Sequence, residues 1–234
     1  MTVFDAYDRI RIVSLASRKD RRAAILEELR PFDLAHKLEF FDALTVPEPG
    51  PFRSRGSHGC FLSHLQILSD AARSNESVLI LQDDCAFLPE IRAYAMPECD
   101  VFYGSHAEDA DEIIGAHFMG FSAPAAAKAS HYLENLLDTS FPPDPKAATE
   151  PTFKPGMRPP IDGSLVWFRR AHPELKSAFA LLSYQRSSRS DITPRLLDRI
   201  PLVRGVLQIL RKFAFGRKYG GEALETRSAA EQGS

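Results

Sequence analysis

The chain has 234 residues, 44% of them hydrophobic and 26% charged, which suits one substantial soluble core with room for a small appendage. A formal net charge of -2 gives no global pull toward nucleic acid or an anionic surface, so any such partner would have to be met by a local patch. Cys60, Cys85 and Cys99 are odd in number and lack a C-x-x-C pair, which argues against a disulfide framework and against a thiolate zinc site.

In chain order, Arg9-Ile10-Arg11-Ile12-Val13-Ser14-Leu15 alternates charged and apolar residues and then turns apolar, as a first strand entering a sheet. Ser17 stands three residues before Asp20, as in a capping box, and Ala23, Ile25, Leu26 and Leu29 supply a helical stripe that ends before Pro31. The connecting loop carries Arg18, Lys19, Arg21 and Arg22. Such a basic helix N-terminus can attract phosphate, and it can equally be a solvated face. Leu38 to Leu44 reads as a second strand, and Pro47 to Pro51 as a loop. Gly56 to Cys60 then leads into an amphipathic helix on which Phe61, Leu65, Leu68 and Ala72 recur at helical spacing, widened by Leu62 and Ile67. Ser63 and His64 are expected in its first turns, within reach of a ligand, although a lone histidine there is more often structural.

Val78-Leu79-Ile80-Leu81 has no polar face and predicts a strand buried on both sides. Asp83 and Asp84 follow where that strand runs out, the place at which ligands bind in open α/β sheets. Hard divalent cations take oxygen ligands, commonly one or two carboxylates together with substrate phosphates, so this pair could hold Mg²⁺ or Mn²⁺ against a diphosphate; it could also be a solvated acidic turn. Phe87-Leu88-Pro89 closes that strand, Asp100 to Gly104 and Gly115 to Ser122 read as two more, and Pro124 opens a helix through Leu137. Phe141 to Pro160 reads as a long loop of the kind that forms lids or binding loops. Asp162-Gly163 reads either as a turn before an apolar run or as a site carboxylate. From Pro201, apolar residues share a short segment with Arg204, Arg211, Lys212, Arg217 and Lys218. That pattern fits a basic amphipathic segment lying on an anionic membrane or a terminal helix packed on the core. Residues 222–234 are small and polar and are expected to be frayed. Met1 is followed by Asp5 and Asp8 rather than by a basic segment and an apolar run, and no apolar stretch approaches the ~20 residues of a membrane span. The expected location is the cytoplasm, with peripheral contact at the inner face of the membrane through 201–218.

Several of these blocks, in order, resemble glycosyltransferase family 25, known for bacterial lipooligosaccharide galactosyltransferases and collagen-modifying enzymes. They are Ile12-Val13-Ser14-Leu15 with Arg18, Asp20 and Arg21; Phe41-Asp42-Ala43; Gly59-Cys60-Phe61-Leu62-Ser63-His64; and Leu79-Ile80-Leu81-Gln82-Asp83-Asp84. Ile161-Asp162-Gly163 and Gln185 through Ile192 are similar to weaker distal elements, so the likeness spans about residues 9–192. Gln82, Ser57 and Ser14 depart from it, standing where Glu, an acid and Asn are usual.

The resemblance implies an α/β fold of GT-A type, a nucleotide-binding sheet with flanking helices as a single domain over 1–200, followed by the amphipathic segment 201–221 and the tail 222–234. It further implies metal-assisted, inverting transfer of a hexose such as galactose from a nucleotide-sugar donor, UDP-linked by preference, to a lipooligosaccharide or similar glycan. Under it, Asp83 and Asp84 hold Mn²⁺ or Mg²⁺ and the diphosphate, and Arg18 and Arg21 meet the donor phosphates. Ser63 and His64 position the donor. Asp162 is the general base, with Asp191 the competing candidate. Two rivals from other classes are a non-catalytic sugar-nucleotide or glycan-binding module of the same fold and a metal-dependent phosphoesterase. The second lacks the His/Asp clusters that two-metal hydrolases need.

Overall fold

A computed structural model describes residues 2–106 and 115–186. They form a mixed α/β domain around a six-stranded sheet with the order β2-β1-β3-β6-β5-β7. The strands are β1 (Arg9–Ser14), β2 (Leu38–Asp42), β3 (Val78–Gln82), β5 (Val101–Tyr103), β6 (Phe118–Phe121) and β7 (Ser177–Phe179). A separate two-stranded sheet pairs β4 (Cys85–Phe87) with β8 (Ser183–Gln185), so Phe87 belongs to its own strand rather than closing β3.

The sheet changes character at β3. β1 runs parallel to both β2 and β3, with Val13 facing Phe41 on one side and Gln82 on the other, whereas β6 is antiparallel to β3. The chain therefore leaves β1 for one neighbour and returns across it to the other, which creates a topological switch point between β1 and β3. Along β3, Val78 and Ile80 point into a core built with α2 (Arg55–Ser74), α3 (Ala123–Leu137) and α4 (Ile161–Ala171). Leu79 and Leu81 point into the opposite core with Ile25 and Leu29 of α1 (Lys19–Leu29). All four aliphatic side chains are buried, as their unbroken run predicts for a strand covered on both faces.

Four local expectations are corrected. No capping box forms at Ser17: α1 is capped by Arg18 without a side-chain bond, because Asp20 is engaged by the Arg18 guanidinium. Leu26 lies on the exposed side of α1, so its core stripe is Ile25 and Leu29 alone. The second helix begins at Arg55, where the Ser54 hydroxyl accepts from the Ser57 N–H, so Gly56 to Cys60 are helical and Ser63 and His64 lie in its third turn. Its buried face runs Phe61, Ser63, His64, Ile67, Leu68 and Ala71, rotated from the apolar stripe that includes Leu65 and Ala72. Asp162-Gly163 likewise is no turn but part of the first turn of α4.

The long connection from Phe141 to Pro160 holds one short 3₁₀ turn and is fixed to the body. The buried Arg158 guanidinium donates to the carbonyls of Asp138 (2.6 Å) and Phe141 (2.8 Å), and Arg170 bonds the buried Asp144 at 2.9 Å. No helix among the described residues is long and apolar enough to cross a membrane. Asp191 and the segments 201–221 and 222–234 lie outside the described residues.

Candidate active site at the ends of β1 and β3

Ser14 ends β1 and Asp83 follows β3, so the switch point sets them side by side. The Ser14 hydroxyl donates to Asp83 Oδ2 at 2.7 Å, and the backbone N–H of Asp83 donates to the Val13 carbonyl at 3.2 Å. The other carboxylate oxygen, Oδ1, accepts from Arg21 Nη1 at 3.1 Å, and the same guanidinium nitrogen stands 3.9 Å from Asp84 Oδ2. Asp83 is buried, and a buried carboxylate is tolerable only because a hydroxyl and a cation meet it.

Helix α1 delivers that cation. It starts immediately beyond the β1 end, and its first residues bring three arginines back over the strand ends. Arg18 pairs with Asp20, Arg21 with Asp83, and Arg22 with Asp42 at the end of β2 and with the Ser14 carbonyl at 3.1 Å. Arg18 and Arg21, expected to meet donor phosphates, thus stand at the strand ends bonded to carboxylates. Together the ends of three parallel strands carry Ser14, Asp42, Asp83 and Asp84, interleaved with Arg21 and Arg22.

Ser63 and His64 are fully buried inside α2. The Ser63 hydroxyl donates to the Gly59 carbonyl (2.7 Å) and accepts from the Leu44 N–H (2.9 Å), which fastens the chain leaving β2 to the helix. Gly59 has a steric reason in the same place: a Cβ there would lie 2.3 Å from the Leu44 carbonyl oxygen. His64 Nδ1 bonds the Cys60 carbonyl at 2.9 Å, and desolvation holds its pKa below the ordinary imidazole value, against the opposing pull of the Cys60 and Ala116 backbone and of Asp162.

Asp162 lies on the acid-pair side of the molecule. Its Oδ2 accepts from the Gly115 N–H (3.2 Å) and its Oδ1 from the Gly163 N–H (3.0 Å). It and Asp84 are both near enough to Cys60 to add to desolvation in pushing that thiol up to about 12. Cys60 is therefore a protonated thiol rather than a nucleophile. Gln82, one residue before the acid pair, accepts from Gln185 Nε2 at 3.3 Å, and its own amide faces the Cys60 sulfur at 3.8 Å. Nothing in the sequence spacing of Gln82 and Gln185 pairs them; the link depends on β8 returning beside β4.

Asp83 and Asp84 are the carboxylates that the end of β3 offers to a metal. Among the described residues no three His, Cys, Asp or Glu side chains are grouped to hold a metal. Two acids still fit a hard divalent cation that takes its other ligands from phosphate and water. They do not fit zinc or a two-metal hydrolase centre.

Neither a protein-family model nor a curated protein matches the chain. Among solved structures it is similar to the crystal structure of a glycosyltransferase involved in the glycosylation of the major capsid of PBCV-1. The identity is 12%, the TM-score 0.42, and the match covers 73% of this chain and 81% of that one.

Proposed function

We propose that this chain is a nucleotide-sugar-dependent glycosyltransferase of GT-A type, akin to family 25. In this reading it moves a hexose, galactose being the first candidate, from a UDP donor to a hydroxyl of a cell-surface glycan such as lipooligosaccharide. The observation that carries the reading is the Ser14–Asp83–Arg21 constellation, with Asp84 beside it, at the switch point of the parallel half of the sheet. That is where open α/β sheets bind ligands, and mixed acid and guanidinium groups suit a diphosphate better than an uncharged ligand. The ordered sequence blocks that resemble family 25 support it independently.

In this proposal Asp84, with Asp83, holds Mn²⁺ or Mg²⁺, which when bound supplies Lewis-acid charge opposite the departing diphosphate. Arg21, positioned by Asp83, adds a fixed positive charge, and Arg18 at the start of α1 extends it. Asp162 takes the proton of the acceptor hydroxyl as that oxygen bonds the anomeric carbon and the carbon–oxygen bond to the diphosphate breaks, which inverts the centre. Asp191 remains the other candidate for that role. Ser63 and His64 act on the donor only through the scaffold they hold.

The test is turnover of a panel of nucleotide sugars with and without Mn²⁺, in the natural chain and in Asp84→Asn. Metal-dependent release of UDP, abolished in a folded Asp84→Asn protein, is the expected result. Turnover that survives the substitution removes the metal assignment. A second reading, a binding module of the same fold, draws on the fact that Ser14 and Arg21 already engage both oxygens of Asp83. It predicts donor binding with no release of UDP under any of these conditions.

A further inference from the structure

The acid pair is held by a side chain that stands where a shared cation would stand. Arg21 Nη1 donates to Asp83 Oδ1 at 3.1 Å and lies 3.9 Å from Asp84 Oδ2, so a single nitrogen serves both carboxylates. Arg22, the next residue, goes elsewhere: it pairs with Asp42 at the end of β2 and donates to the Ser14 carbonyl at 3.1 Å. The place is reachable from solvent, since the Asp84 side chain is 19% exposed and that of Arg21 14%. Asp83 is the covered member, and its second oxygen accepts from the Ser14 hydroxyl at 2.7 Å, a bond in which Arg21 has no part.

Arg21 is thus already on the carboxylate oxygens that a divalent cation would take. Two cationic groups within a few ångströms repel strongly in a partly covered site, so guanidinium and metal exclude one another there. A diphosphate resolves the conflict, because its oxygens both ligate metal and accept the paired bonds that a guanidinium forms with phosphate. The side chain is free to make that move while its backbone stays put. Arg21 lies in the first turn of α1, where its N–H donates to the Arg18 carbonyl at 3.1 Å, and its long side chain turns about several single bonds. We infer that Arg21 and a divalent cation compete for Asp83 and Asp84, and that Arg21, once displaced, turns its guanidinium to the diphosphate. Cation and diphosphate then strengthen each other's binding, and by linkage the enhancement is the same from either side. The inference deepens the glycosyl-transfer reading and rests on it for the diphosphate, whereas the competition rests on the two Arg21 distances.

The test titrates Mn²⁺ alone, by calorimetry, into the natural chain, Arg21→Gln and Arg21→Lys, each checked for fold by circular dichroism, and then titrates UDP at saturating Mn²⁺. Arg21→Gln is expected to bind Mn²⁺ about tenfold more tightly than the natural chain or Arg21→Lys, a small part of the repulsion between a guanidinium and a dication at this separation. It is expected to bind UDP about tenfold more weakly, the loss of roughly one hydrogen bond to a charged group. An Mn²⁺ affinity that is equal or lower in folded Arg21→Gln is what a merely supporting arginine gives; it overturns the inference and leaves the transferase reading standing where UDP still binds. Tighter Mn²⁺ binding in Arg21→Gln with no UDP binding by any of the three proteins keeps the competition and removes the transferase reading. A second measurement needs no neutral variant. In NMR spectra of the arginine Nε–H groups of the natural chain, the signal missing from Arg21→Lys should shift with Mg²⁺ alone and shift again when UDP is added. A signal unmoved at saturating Mg²⁺ overturns the inference.

Discussion

The strand-end cluster around Asp83 and the helical cluster around Ser63 are both polar and both buried, yet they differ in what their polarity is for. At Ser63 the bonds are local: the hydroxyl links Gly59 to Leu44, His64 Nδ1 turns to its own helix while its Nε2 is buried with no hydrogen-bond partner among the described residues, and Gly59 lets another backbone approach. At Asp83 the charges of α1 and β3 face one another at an opening of the sheet, where arginines and acids alternate and Asp84 is only partly covered. Two sequence blocks with equal claim to be a site therefore divide into a clamp and a candidate site. A buried polar residue that closes a local hydrogen-bond circuit is scaffold, whereas charges concentrated at strand ends are where chemistry can be done.

That contrast can be broken from the clamp side first. Gly59→Ala drives a methyl group to 2.3 Å from the Leu44 carbonyl, so one backbone must move; a loss of about 3 kcal/mol is expected, read by urea unfolding. A change below ~0.5 kcal/mol would mean that the clamp is loose. On the site side, Arg21→Ala takes the guanidinium away from Asp83, and loss of the partly buried pair is expected to cost about 2 kcal/mol in the same assay. Because that cost is charge on Asp83, adding Asp83→Asn to Arg21→Ala should recover part of it; no recovery would show that the pair is not coupled.

Acid sharpens the comparison next. His117 and His64 are held neutral, both with pKa values below the ordinary 6.5, His117 near 3. As pH falls the unfolded chain takes up these protons before the folded one does. The stability they confer is complete above about pH 6.5 and drains as pH drops toward 3. Unfolding free energy at pH 7 and pH 4.5 should fall steeply for the natural chain and less for His117→Phe; parallel curves would contradict the buried neutral imidazole. The smallest effect is expected at the exposed Lys128–Glu174 pair linking α3 to the segment after α4. Lys128→Ala should leave the melting temperature unchanged.

Much of the architecture was legible because the strongest signal coincides with the strongest physical constraint. The run Val78 to Leu81 could be satisfied only by a strand covered on both faces, and the placement of Asp83 and Asp84 at its carboxyl end followed. The basic start of α1 was readable too, but not its partners: which acids Arg18, Arg21 and Arg22 would meet depends on β1 lying between β2 and β3, a long-range fact with no local trace. The apolar run from Phe61 marks a helix start that would set Ser63 and His64 nearer the loop than they are. The Ser54 cap lies seven residues before Phe61, and glycines at 56 and 59 hid the first two turns. Asp162-Gly163 misled in the same way, since a dipeptide common in turns sits at the start of a helix where the acid complements the dipole.

Calorimetric titration of UDP in the presence and absence of Mn²⁺, on the natural chain and on Asp84→Asn, tests the central claim most directly. Binding that requires Mn²⁺ in the natural chain and weakens at least tenfold in a folded Asp84→Asn protein is the result expected of a strand end that holds a cation and a diphosphate. Equal affinity in the two proteins, or no binding in either, would contradict it.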